Sequence, residues 1–138
     1  MTTYDPYFDS QRCVDRMMGW YRKHGNLIIA YDYDDTIFDF WKKGFAYPDV
    51  IQLLQECSDL GFVMILFTGH TDKDYDTLKK DLAEQGIRVD AINESTVPDE
   101  MFKKKVYCNI LLDDKAGLGQ AYEILRETVN RIQFERGK

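Results

Sequence analysis

Several absences narrow the problem before any motif is considered. The chain of 138 residues contains three cysteines, Cys13, Cys57 and Cys108, far apart and with no C-x-x-C spacing. An odd count in that arrangement excludes a disulfide framework and a cysteine-built structural zinc site. We read all three as reduced, mostly buried thiols. Long hydrophobic runs are missing as well. The longest, Leu27–Tyr31 and Phe62–Phe67, have strand length and fall far short of the roughly 20 residues that span a bilayer. No apolar stretch of signal-peptide type stands near residue 1, so the expected location is the cytoplasm, with no membrane partner. Positive charge is in deficit, with a net charge of −6. That field disfavours the phosphate neutralisation on which non-specific nucleic-acid binding depends. Lys42-Lys43 and Lys79-Lys80 read as solvated faces. Glutamate is scarce: of 24 acidic residues, 17 are Asp and 7 are Glu. Aspartate is poor inside helices and good in turns, caps and metal sites, so the imbalance points towards function.

What is present has a regular order. Residues 1–9 read as irregular. Ser10–His24 has helical spacing of Cys13, Val14, Met17, Met18 and Tyr21, with Ser10 as candidate cap and Gly25-Asn26 as the stop. Leu27–Tyr31 suits a buried parallel strand. It runs into Asp32-Tyr33-Asp34-Asp35-Thr36 and an aromatic stretch. Pro48 opens a second helix that Gly61 stops. Phe62–Phe67 is a second strand, ending in Thr68-Gly69-His70. A third helix is expected over about residues 71–85, a weaker strand over 87–92, and a loop with at most one turn over 93–105. Val106–Leu112 is a strand ending in Asp113-Asp114, and a last helix covers about residues 117–134. Strands separated by amphipathic helices predict right-handed crossovers and a parallel sheet covered on both faces. The expectation is one α/β domain over 1–138: a three-layer, Rossmann-like sheet of about four strands with helices on both faces. Residues 1–24 form a helical extension, and 27–120 carry the motifs.

Ligands of such sheets bind outside the carboxyl ends of the strands. Three expected strands end there in reactive groups: Asp32 and Asp34, Thr68, and Asp113 with Asp114. Clustered carboxylates repel each other unless a cation lies among them, and an oxygen-only donor set selects magnesium over zinc. A carboxylate beside a metal-bound phosphate can attack phosphorus, and a second one two residues on can serve the leaving group. A hydroxyl and a lysine complete a site for phosphoryl transfer.

DYDDT after LIIAY resembles motif I of the haloacid dehalogenase-like (HAD) phosphohydrolases. FVMILFT resembles motif II, ILLDD resembles motif IV, and Lys105, with Lys104 second, fits the motif III lysine of Lys103-Lys104-Lys105. The similarity spans about residues 27–120 in the family order. It implies a sheet in the order 3-2-1-4, Asp32 as nucleophile, Asp34 as general acid and base, and Thr68 and Lys105 on the phosphoryl group. It also implies Mg2+ held by Asp32, the Asp34 carbonyl and Asp113, with Asp114 either a ligand or a helix N-cap. Thr36 is expected to brace the loop. Asp35 stands where Gly is common, and His70, where Arg is frequent, could reach substrate but reads first as a loop or cap histidine.

Only residues 37–47 and 94–104 occupy the places where this family inserts cap domains. The resemblance is therefore to capless members. The expected function is magnesium-dependent hydrolysis of a small phosphate monoester such as a nucleotide or sugar phosphate, with a nucleic-acid end less favoured by the net charge. A homo-oligomer neighbour, a large substrate or residues 1–24, through Tyr4, Tyr7 and Phe8, could cover the open site. Phe38, Phe40, Trp41, Phe45 and Tyr47 could form a substrate rim or belong to the core. Asp72, Asp74 and Asp76 imitate a calcium loop but lack its Gly and its terminal Glu, and read as first-turn acids. The competing reading is a non-catalytic or receiver-like module that binds phosphate and magnesium.

Overall fold

A computed structural model of the chain describes residues 5–98, 100–103 and 105–137. Lys104 and Tyr4 lie outside them. The elements are α1 (Ser10–His24), β1 (Ile28–Asp32), α2 (Pro48–Asp59), β2 (Val63–Phe67), α3 (Tyr75–Glu84), β3 (Ala91–Ile92), β4 (Ile110–Leu112) and α4 (Leu118–Glu135). The strands form one parallel sheet in the order β3-β2-β1-β4. This is an α/β fold of the expected topology, and no described helix is long and apolar enough to cross a membrane.

Period-two alternation divides the sheet's side chains between two faces. Ile29, Tyr31, Met64, Leu66 and Leu112 enter one core with Met17 and Met18 of α1, Leu53 and Leu54 of α2, Leu82 of α3, and Leu125 and Ile132 of α4. The intervening Ala30 and Ile65 are buried but lie outside that cluster. Their face carries the crossover from β3 to β4, whose helical turn is Glu100–Phe102. Val106 and Cys108 of this crossover line a cavity of about 520 Å³ with Ala30, Phe67 and Leu111. The expected helices on the second face are represented, among the described residues, by that single 3-10 turn, so the three layers are helices, sheet and crossover.

Local chemistry sets the element ends. The cap of α1 is Asp9 rather than Ser10: its carboxylate accepts the Gln11 and Arg12 N–H groups at 2.9 and 3.4 Å. Gly25 closes that helix at φ 72°, a left-handed value that costs glycine nothing. The α1 extension packs on the domain, burying Cys13, Val14, Met17 and Met18. Tyr7 lies under the Arg16 guanidinium, and its carbonyl accepts from Gln120. The expected third helix divides into a 3-10 turn, Asp72–Asp74, and α3 proper.

The two outer strands are shorter than the apolar pattern suggests because side chains take over ladder bonds. The Asp90 carboxylate accepts the Met64 N–H at 2.8 Å, and the Ser58 hydroxyl accepts the Arg88 N–H, so regular pairing of β3 starts only at Ala91. At β4, the Asn109 side-chain oxygen accepts the Ile28 N–H at 2.7 Å. The Tyr107 N–H turns to Ser95 Oγ instead of to β1.

Candidate active site

The carboxyl ends of β1, β2 and β4 meet around a pocket of about 400 Å³ lined by Asp32, Phe67, Thr68, Gly69, Asn93 and Asp113. One carboxylate oxygen each of Asp32, Asp113 and Asp114 lies within 4.8 Å of the others. Thr36 is fully buried between them. Its hydroxyl lies 3.2 Å from Asp32 Oδ2 and 3.4 Å from Asp114 Oδ1, and it accepts the Asp114 N–H at 3.1 Å. Thr36 thus ties the loop after β1 to the loop after β4. Asp114 does not cap α4, whose N-cap is Gly117. Its carboxylate is engaged with Thr36, and Lys115 Nζ lies 3.6 Å from its Oδ2.

The loop after β1 turns back sharply. The Ile37 and Phe38 N–H groups both donate to the Tyr33 carbonyl, and Asp35 adopts φ 61°. That left-handed value explains why glycine suits this position, and aspartate is among the residues that tolerate it. Tyr33 points the other way, into the core, with its hydroxyl donating to Asp81 of α3. Asp32 lines the pocket, and the Asp34 carboxylate meets the His70 ring.

Electrostatics strain this cluster. Burial first, and then the neighbouring Asp113 charge, push the Asp32 carboxyl up to about 7. Asp34 Oδ1 is buried and has no hydrogen-bond partner among the described residues. Three adjacent carboxylates are what a hard cation would satisfy, and the donors are all oxygen. The residues present therefore fit a magnesium site.

Of the other expected residues, Thr68 lies at the pocket. Its backbone is clamped by Asn93, whose Oδ1 accepts the Thr68 N–H at 2.8 Å and whose Nδ2 donates to the Thr68 carbonyl at 2.7 Å. Its hydroxyl accepts the His70 N–H at 3.1 Å, leaving the hydroxyl proton available. Lys105 is not beside Asp32. It lines the neighbouring 520 Å³ cavity, which shares Phe67 and Asn93 with the pocket. The path of the crossover holds it there, its carbonyl accepting from Ser95 Oγ at 3.3 Å.

The sequence reading missed three contributors. His70 is not a passive loop histidine: Nε2 lies 2.8 Å from Asp34 Oδ2 and Nδ1 lies 2.9 Å from Asp74 Oδ2. The bond to Asp74, supported by the Asp34 charge, raises the His70 pKa against the opposing effect of burial. Asp74 is accordingly more than a first-turn acid, and Asn93 is the clamp on Thr68. The available signal was spacing, since His70 follows Thr68 by two residues as Asp34 follows Asp32, each in the loop just past a central strand. The aromatics are settled differently. Phe38, Phe40, Trp41 and Phe45 are 45, 43, 65 and 63% exposed, so they are not core. The turn that displays them is held by Asp39, whose carboxylate accepts the Lys43, Gly44 and Phe45 N–H groups.

No protein-family model and no curated protein matches the chain. Among solved structures it is similar to a conserved protein coded by a locus of Bacteroides thetaiotaomicron. The two are 22% identical with a TM-score of 0.57, over 74% of this chain and 91% of that one. This likeness shows a shared α/β fold.

Proposed function

We propose that the protein is a magnesium-dependent phosphomonoester hydrolase of the capless HAD type. The observation that supports the reading is the convergence of Asp32, Thr68, Asp113 and Asp114 from three strand ends, with Asp34 joined to the Thr68 loop through His70. Asp32, Asp113, Asp114 and the Asp34 carbonyl would hold Mg2+, which supplies positive charge to the phosphoryl oxygens. An Asp32 carboxylate oxygen attacks phosphorus, the bond to the leaving oxygen breaks, and Asp34 gives that oxygen a proton. Asp34 then takes a proton from water. The water oxygen attacks phosphorus and the Asp32–phosphate bond breaks, returning the carboxylate. Thr68 donates its hydroxyl to the phosphoryl group. Lys105 is the charge partner that the resemblance assigns, reaching from the adjoining cavity.

The substrate is a small phosphate ester. The rings of Phe38, Phe40, Trp41 and Phe45 are exposed, with Phe40 against His70, and would rim the approach in place of a cap. A second subunit closing over the rim is an extension of this reading, as is a cytoplasmic setting. The test is hydrolysis of p-nitrophenyl phosphate with and without magnesium, in wild type and Asp32→Asn. Magnesium-dependent turnover that disappears in the variant supports the proposal. Equal activity in both proteins, or none in a folded wild type that also fails to bind magnesium, overturns it.

A further inference from the structure

The ring of His70 is held at both nitrogens and flanked by two aromatic rings, with 24% of the side chain exposed. Nε2 meets Asp34 and Nδ1 meets Asp74, at 2.8 and 2.9 Å. The Tyr33 and Phe40 rings take edge contacts with it at centroid distances of 6.4 and 6.5 Å. Tyr33 is itself stacked on Phe38 and anchored to Asp81. The histidine backbone is fixed through its N–H to the Thr68 hydroxyl. These contacts set the ring's orientation, which presents Nε2 to one oxygen of Asp34. The other Asp34 oxygen, Oδ1, has no partner among the described residues.

Asp34 sits in an irregular loop, two residues past the end of β1, where a free carboxylate would sample several rotamers. A proton-transfer group must be within hydrogen-bond reach of its target, and misplacement by an ångström is expensive. The bond to His70 removes that freedom.

We propose that His70 is a positioning residue for Asp34, oriented from behind by Asp74, and that the Asp74–His70–Asp34 chain fixes the carboxyl group that serves the leaving oxygen. The catalytic half of this inference rests on the phosphatase reading above, whereas the bridge itself does not. Within that reading, Asp34 passes its proton to the departing oxygen as the phosphorus–oxygen bond breaks, and His70 holds the donor in line throughout.

The role has a signature that a merely structural histidine lacks. A p-nitrophenolate leaves without help, while an alkoxide needs the proton. General acid catalysis contributes roughly 10²–10⁴-fold. Loss of positioning should therefore fall mainly on an alkyl phosphate such as glycerol 2-phosphate. His70→Phe keeps a ring of similar volume and removes both nitrogens. We expect its kcat on the alkyl ester to drop about 10- to 100-fold, at least tenfold more than on p-nitrophenyl phosphate. His70→Gln restores a nitrogen donor near the Nε2 position and should recover part of the alkyl-ester rate. Thermal unfolding of each variant confirms that it folds.

The bridge is read separately by nitrogen-15 NMR of the ring. The chain has two histidines, so His24→Gln leaves a single signal set. Asp34→Asn should shift Nε2, and Asp74→Asn should shift Nδ1. Ring nitrogens that ignore both changes overturn the proposal. So do equal losses on the two esters, which would make His70 structural. A folded wild type that hydrolyses neither ester and binds no magnesium refutes the phosphatase reading, and with it the catalytic half. In that event the ring spectrum still shows whether His70 joins the two carboxylates.

Discussion

Asp113→Asn should make the metal-free protein more stable and less responsive to magnesium. The carboxylate oxygens of Asp32, Asp113 and Asp114 lie within 4.8 Å of one another. Above about pH 7, where Asp32 is ionised, two unit charges at that distance repel by about 1 kcal/mol in bulk water and about 3 kcal/mol at an effective dielectric constant near 20. The groups are partly exposed, so the lower figure applies. Asparagine keeps the oxygen that accepts the Lys115 N–H at 2.9 Å, so the turn after β4 survives the change. A chain of this length unfolds with an entropy of about 0.3 kcal/mol/K, so about 1 kcal/mol corresponds to about 3 °C in Tm. A cation bound at 100 times its Kd adds about 2.7 kcal/mol, or about 9 °C, to the wild type. Differential scanning calorimetry in EDTA and in magnesium reads both effects. The reasoning fails if Asp113→Asn lowers Tm in EDTA, or if its magnesium response equals that of the wild type.

Other outcomes follow from the same geometry. Lys105→Ala should lower kcat/KM for phosphate esters about 100-fold or more. Lys103→Ala, whose ammonium is exposed and paired with Glu100 at 2.7 Å, should leave steady-state turnover unchanged. Glu56 accepts two bonds from Arg126, at 2.9 and 2.6 Å, and these hold its carboxyl below the usual range. That stabilisation is complete above the unfolded glutamate pKa and is lost as pH falls through the lowered folded value, so Glu56→Gln should flatten the acid limb of a Tm-against-pH curve. At Asp35, φ 61° should make Asp35→Ala less stable than Asp35→Gly by about 1 kcal/mol in urea titration.

The elements with strong periodicity were the ones legible in the sequence. Ser10–His24 and Pro48–Asp59 carry apolar residues at helical spacing and stop at glycines that the structure places at φ 72° and 83°. The continuous apolar runs of β1 and β2 marked the centre of the sheet. The outer strands were overextended because Val106–Cys108 and Ile87–Val89 are apolar enough for strands. Their hydrogen bonds go instead to Ser95 and Ser58, and the carboxylate of Asp90 and the amide of Asn109 replace ladder partners. Residue-level patterning contains no trace of such long-range substitutions. The same limit applies to the site. Asp32, Asp34, Thr68, Asp113 and Asp114 announce themselves at strand ends, whereas the link from His70 to Asp34 spans 36 positions and becomes visible only once β1 and β2 are paired.

The pairing of β1 with β4 has a consequence for the order in which the chain acquires its parts. Asn109 bonds to Ile28 across 81 positions, while β1 pairs with β2 through a much shorter connection. Contacts that close long loops form late, because the entropy of closure must be overcome before they contribute. Asp32, Asp34, Thr68 and His70 can therefore assemble in a partly folded chain. Asp113 and Asp114 arrive only when the last strand docks on the far edge of β1. A ligand that needs both halves cannot nucleate folding. It acts afterwards as a lock on the docked strand, lengthening the lifetime of the folded protein rather than hastening its formation.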